Sequence, residues 1–255
     1  DEAIRHSITK MSYLHFCAAS EYRKRVIQLG EEPCNVYNVG ALGVENIKKL
    51  PLLNKYQLEK SIGFPMEGKV LMVTYHPVTL DGPFSGEHFV NLLKVLSEYR
   101  DFLIIFTKSN ANTDGRVING MIDSYVEKNN GRCISFISMG QLKYLSALKY
   151  CYAVVGNSSS GIIEAPSFHI PVIDIGDRQK GRTRAESVIH CNVDVNSIKE
   201  AFNKIMSKDC LEKARYCNNP YEKKDTSKKI VEIIHETLKN KISLKKKFYN
   251  LEITE

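Results

Sequence analysis

Apolar and polar positions divide this chain into short β-branched runs separated by stretches of helical spacing. Lys69-Val70-Leu71-Met72-Val73-Thr74 is apolar almost without a break, as expected of a strand buried on both faces. Phe102 to Phe106, Cys133 to Ile137, Ala153-Val154-Val155 and Pro171-Val172-Ile173-Asp174-Ile175 repeat the pattern, and Ser187-Val188-Ile189 adds a shorter run. Between these runs, apolar residues recur at three-to-four spacing. Phe89, Leu92, Leu93 and Leu96 mark a helix from Glu87 to Tyr99; Val117, Met121, Ile122 and Tyr125 mark one from Gly115 to Asn129. Further helices are predicted at Gln141–Ser146, Ser197–Met206 and Thr226–Lys239. Upstream, Ile4, Ile8, Met11, Leu14 and Ala18, then Tyr22, Val26 and Leu29, predict two helices flanking a short strand or turn at His15-Phe16-Cys17. Gly30 ends the second helix, Asn35 to Gly40 reads as a short strand, and Leu42 to Gly63 as short connecting helices. Alternating strands and helices predict an α/β fold with a doubly wound parallel sheet.

In such sheets ligands sit beyond the carboxyl ends of the strands. The loops after Thr74, Phe106, Ile137 and Val155 lie there, and the last is the most distinctive: Gly156-Asn157-Ser158-Ser159-Ser160-Gly161, then Ile162-Ile163-Glu164. Serines opening a helix offer hydroxyls, free backbone N–H groups and the positive end of a dipole, which together suit a phosphate. Glu164, one turn further in, has a carboxylate able to accept hydrogen bonds from a sugar diol. The plainer reading is a capped helix with a solvated glutamate. His76 follows the strand Lys69–Thr74, where a histidine is either structural or poised to change charge near neutral pH.

Composition narrows the possibilities. The 255 residues suffice for one large or two modest domains, and 43% hydrophobic with 25% charged residues is ordinary for a globular protein. The net charge of +7 comes without an aromatic-basic RNA motif or a zinc pattern, so no nucleic-acid partner is expected. Seven scattered cysteines, with no C-x-x-C pair, read as reduced thiols of a cytoplasmic protein, and no spacing supports a metal or other cofactor. No apolar run approaches the roughly 18 residues of a membrane span, and no signal peptide is read at the N-terminus. The missing initiator Met suggests that the chain begins inside a longer protein. Residues from Ile242 onward are expected to form a charged, poorly ordered tail.

The stretch GNSSSGIIEAPSFHIPVIDIGDRQKGR closely resembles the nucleotide-binding segment of the UDP-N-acetylglucosamine 2-epimerases, and is most similar to their hydrolysing, sialic-acid-pathway branch. The resemblance runs from Asp1 to about Ile234. It implies a glycosyltransferase-B-like architecture of two Rossmann-type doubly wound sheets, the first only partly present in this chain. The implied boundaries are 1–46 for the closing portion of the first domain, 47–67 for a linker, 68–240 for the UDP-binding domain and 241–255 for the tail.

The resemblance also implies residue roles. Ser158 and Ser159 bind the diphosphate, Glu164 the ribose hydroxyls, and Arg178 of the GDRQ loop lies near the phosphates. His76, in a motif similar to the family's T-x-H-[RP], contacts the phosphate or leaving group. Met139 falls where backbone groups hold the uracil, and Asn110 lies near the nucleotide. Asp1-Glu2 resembles an acidic pair acting as general acid/base at the sugar, with Asp1 the favoured match and Glu2 the alternative. Asn219-Pro220-Tyr221 resembles an NPYG motif, with Glu222 in place of the glycine. The activity implied is conversion of UDP-GlcNAc to ManNAc and UDP, in a homodimer or homotetramer. A substrate UDP-N,N'-diacetylbacillosamine, a non-hydrolysing epimerase, or an inactive UDP-binding half-molecule are the alternatives.

Overall fold

A computed structural model describes residues 2–78, 85–109, 113–240, 243 and 245–252. The chain forms two compact units, one of residues 1–49 with 220–255 and the other of residues 50–219. In chain order the first unit contributes α1 (Glu2–Met11), β1 (His15–Cys17), α2 (Ser20–Gln28), β2 (Val36–Asn38) and α3 (Leu42–Lys49). β1 and β2 pair in parallel, His15 opposite Val36 and Cys17 opposite Asn38.

The second unit opens with α4 (Lys55–Ile62), held by a reciprocal capping box between Asn54 and Gln57 and ended by Gly63 in the left-handed conformation. Next come β3 (Lys69–Thr74), α5 (Ser85–Glu98), β4 (Phe102–Thr107), α6 (Thr113–Lys128), β5 (Cys133–Phe136) and α7 (Gly140–Leu148). Then follow β6 (Ala153–Gly156), α8 (Ser159–Ile163), β7 (Val172–Ile175), β8 (Val188–Cys191), α9 (Val195–Ile205) and α10 (Lys208–Tyr216). α11 (Thr226–Lys239) belongs to the first unit.

The six strands β3 to β8 form one parallel sheet in the order β5-β4-β3-β6-β7-β8. The chain winds outward from β3 through β4 to β5, then crosses back to β6 and winds the other way, so the switch point lies between β3 and β6. The register aligns the strand ends: Thr74 pairs with Thr107 on one side and Gly156 on the other, and Gly156 pairs with Asp174. The core joins Val73, Phe106, Val155 and Ile173 of the sheet to Phe89 and Leu96 of α5, Ile122 of α6 and Phe202 of α9. Each such side chain contributes about 1.5–3 kcal/mol on burial. That buried sheet is the rigid platform for the loops at its carboxyl edge.

Four differences from the sequence reading stand out. Residues 220–240 group with the first unit, because Thr226 Oγ1 donates to Val39 O at 2.7 Å and the hydroxyls of Tyr22 and Tyr221 lie 2.6 Å apart. Residues 50–67, expected as a linker, group with the second unit: Leu53 N donates to Ser146 Oγ at 2.9 Å, and α4 packs on α7. The tail is not loose in its described part, since Tyr249 N donates to Gly30 O at 2.9 Å. α10 was not predicted; its apolar positions are sparse, and Ser207 caps it by accepting from Cys210 N.

Candidate active site

The carboxyl edge of the sheet is knotted together at Asn157. Gly156 has φ of 134°, and a Cβ there would lie 1.9 Å from Thr74 O. Only glycine allows β6 to pass β3 so closely, and the close passage lets Asn157 N donate to Thr74 O at 3.1 Å. The Asn157 side chain, 1% exposed, accepts from His76 N at 2.7 Å and donates to His76 O at 2.8 Å. The Asn157 backbone carbonyl accepts from Arg178 Nη1 at 2.9 Å and Gln179 Nε2 at 2.8 Å. One asparagine therefore fixes the loops after β3, β6 and β7 to one another. Neither Asn157 nor Gln179 was singled out from the sequence; the polar residue directly after the strand-ending glycine was the available signal.

Ser158 is the N-cap of α8, its Oγ accepting from Ser160 N. Because α8 has five residues, its dipole is that of little more than one turn. Ser159 opens the helix and Glu164 is its C-cap residue, half-buried. Burial raises the Glu164 pKa, opposed by a hydrogen bond from the Ser160 hydroxyl. The 3-10 turn Asp177–Gln179 carries Arg178, and Arg184 Nη2 reaches it by donating to Gln179 O at 3.5 Å. Asp174, buried at the end of β7, accepts from Arg184 Nη2 at 2.7 Å and Nε at 3.2 Å.

A cavity of about 340 Å³ opens at this edge, lined by Thr74, His76, Met139, Tyr144, Ser158 and Ser160 among others. His76, Met139 and Ser158 are thus brought together; Glu164 adjoins through Ser160 and Arg178 through Asn157. His76 Nδ1 lies 3.2 Å from Ser109 Oγ, and Ser109 is itself held by Asn119, which accepts from Ser109 N at 2.8 Å. Burial, then the charge of Arg178, pushes the His76 pKa down to about 4. That corrects the expectation of a near-neutral value: in the free protein the imidazole is neutral at pH 7. Arg182 in turn lowers the Arg178 pKa after the larger effect of burial. Arg178 acting on His76 and Arg182 acting on Arg178 describe a positive field that suits an anion.

Asp1 and Asn110 lie outside the described residues, and of Glu2 only the backbone, at the start of α1, is described. Asn219 caps the end of α8, donating to Ile163 O at 2.8 Å and Ser167 Oγ at 2.7 Å. Among the described residues no three His, Cys, Asp or Glu side chains gather to hold a metal ion, and no helix is long and apolar enough to cross a membrane.

A six-stranded parallel sheet with a polar, glycine-bounded turn at its switch point has the architecture of the nucleotide-binding α/β class. Within that class the chain belongs to the UDP-N-acetylglucosamine 2-epimerase family, whose sequence profile matches residues 1–235. It is 43% identical over 209 residues to the GDP/UDP-N,N'-diacetylbacillosamine 2-epimerase (hydrolyzing) of Campylobacter jejuni, covering 82% of this chain and 54% of that protein. It is 40% identical over 254 residues to the polysialic acid biosynthesis protein P7 of Escherichia coli, covering 98% of this chain and 64% of that one. Among solved structures, UDP-GlcNAc 2-epimerase from Neisseria meningitidis bound to UDP-GlcNAc superposes with a TM-score of 0.74 at 19% identity, over 91% of this chain and 63% of that chain. This likeness gives the fold, which is glycosyltransferase-B-like. The chain thus spans between half and two thirds of the length of these relatives.

Proposed function

We propose that this chain supplies the UDP-binding half of a hydrolysing UDP-N-acetylglucosamine 2-epimerase, which converts UDP-GlcNAc to ManNAc and UDP. The observation that supports it most is the Asn157 knot, which assembles the serine turn, His76 and Arg178 around one anion-suited edge. In this reading Ser158, Ser159 and Arg178 take the diphosphate, Glu164 the ribose diol and the backbone near Met139 the uracil, with Asn110 nearby. A base removes the C2 proton of the sugar as the C1–O bond to the diphosphate breaks, leaving a glycal; water then adds. Asp1 or Glu2 serves as acid/base at the sugar. Negative charge builds on the departing diphosphate, so donors fixed before reaction stabilise the transition state more than the ground state. His76 contributes there as a neutral donor whose proton affinity rises once the diphosphate offsets Arg178.

The proposal extends to a closing portion of a first Rossmann-like domain near residues 1–46, to a homodimer or homotetramer, and to a cytoplasmic setting. The 43% identity to the Campylobacter jejuni protein favours UDP-N,N'-diacetylbacillosamine as the second reading of the substrate. Incubation with each UDP-sugar, followed by NMR, tests both. ManNAc plus UDP from UDP-GlcNAc supports the first reading, and turnover of the diacetyl sugar alone selects the second. UDP-ManNAc without free ManNAc indicates a non-hydrolysing enzyme. UDP binding without turnover of either sugar reduces the chain to a binding half-molecule.

A further inference from the structure

Ser160 lies in the middle of the serine turn, yet its hydroxyl is already committed. Tyr144 OH donates to Ser160 Oγ at 2.7 Å. The Ser160 hydroxyl has a single proton; Glu164 stands one turn on, its N–H donating to Ser160 O at 2.9 Å, and a hydrogen bond from the Ser160 hydroxyl to its carboxylate lowers the Glu164 pKa against the larger effect of burial. The order of donors is therefore fixed: tyrosine to serine, serine to carboxylate. Tyr144 is suited to the first place, because burial raises its pKa far above neutrality and keeps the phenol protonated. Tyr144 and Ser160 also both line the cavity at the switch point, so the relay borders the volume a nucleotide would fill. A carboxylate that accepts two diol hydroxyls must be ionised and held in one rotamer. Burial opposes ionisation of Glu164, while the Ser160 hydrogen bond favours it.

We propose that Tyr144 is a positioning residue for ribose recognition: through Ser160 it orients the Glu164 carboxylate toward the 2′- and 3′-hydroxyls of a bound uridine nucleotide. This rests on the ribose role given to Glu164 under the proposed function. Tyr144 itself touches no reacting atom. Removing its hydroxyl frees the Ser160 rotor, so the carboxylate loses its fixed donor and its preferred orientation.

Calorimetry with UDP and 2′-deoxy-UDP on the chain as it stands tests this. The wild type should prefer UDP, and Glu164→Ala should abolish the preference. Tyr144→Phe should weaken UDP binding about 3- to 10-fold, the range of one hydrogen bond, while 2′-deoxy-UDP binding stays within a factor of two. The preference therefore shrinks, which a merely structural loss, weakening both ligands equally, does not produce. Equal weakening or an intact preference in Tyr144→Phe overturns the proposal and leaves the Glu164 role standing, provided Glu164→Ala has lost the preference. If Glu164→Ala keeps it, the ribose assignment and this inference fail together. Ser160→Ala, which breaks the same relay at a smaller side chain, carries the same expectation should Tyr144→Phe not fold.

Discussion

Two glutamates show how differently the two units use a carboxylate. Glu31, in the first unit, is 2% exposed and receives Lys10 Nζ at 2.6 Å, Lys246 Nζ at 2.6 Å and His15 Nε2 at 2.9 Å. Burial alone raises its pKa, but the bonds from Lys10, Lys246 and His15 overcome that and push it down to about 2. Lys246 also caps the end of α1, donating to Lys10 O at 2.9 Å and Ser12 O at 2.6 Å. Glu164, in the second unit, is half-buried with Ser160 as its side-chain donor, and its pKa is raised. A carboxylate engaged by two ammonium groups and an imidazole uses its acceptor capacity mainly within the fold and acts on stability. One held by a single hydroxyl at the ligand edge of a sheet retains that capacity.

The comparison breaks most visibly at Glu31. Glu31→Gln should destabilise the chain by about 3 kcal/mol, the lower end for breaking a buried ion pair, because Lys10 is partly exposed. The urea midpoint should fall while UDP affinity in the folded protein is unchanged; an unchanged midpoint would mean that the cluster contributes nothing net. His76→Ala should do the reverse. Its melting temperature should stay normal, UDP affinity should fall little, and turnover of the active enzyme should drop about 10²-fold, some 2.7 kcal/mol in the barrier. Wild-type turnover in a normally melting variant would remove His76 from the chemistry.

Acid titration sharpens the contrast further. The folded pKa of His76 lies below its ordinary value, so unfolding takes up a proton between about pH 6.5 and 4, and stability falls as pH drops through that window. Glu31, also depressed, contributes stability that is complete above about pH 4.5 and lost as pH falls toward 2. His76→Asn should flatten only the first window and Glu31→Gln only the second, as read by urea denaturation at stepped pH. The smallest effect should come from Lys246→Ala, about 1–2 kcal/mol, since Glu31 keeps Lys10 and His15 and water can partly replace the ammonium at the α1 carbonyls. Hydrogen exchange at the end of α1 would reveal it, and unaltered exchange there would sink the role of the tail.

The strands were legible because a parallel sheet buried on both faces writes itself as unbroken apolar runs, as in Lys69–Thr74, whose bounds the structure repeats. Thr226–Lys239 likewise appears as expected, its apolar stripe being long and regular. α10 escaped because Cys210 and Ala214 are its buried residues, too few for a periodic signal. Of the candidate site, the serine turn and Glu164 could be picked out because they stand together between a strand run and a helix. Tyr144 and Asn157 were not. The partner of Asn157 is His76, 81 residues away, and Tyr144 sits 16 residues from the serine it holds.

The sequence by itself determined the order of strands and of every helix but α10, the polar turn between β6 and α8, and the family. The first two are local properties that follow from the spacing of side chains along a few turns or one strand, while the family was carried by the resemblance of the stretch from Gly156 to Arg182. Tertiary structure decided which unit α11 joins, which carboxylate gathers two lysines and a histidine, and what charge His76 carries. Lys246 reaches Glu31 across 215 residues of chain, and Arg178 acts on His76 across 102, distances at which no periodicity in the sequence carries information. Hydrogen bonding and desolvation depend on neighbours in space, and the neighbours exist only once the sheet has closed its switch point and brought the loop ends together.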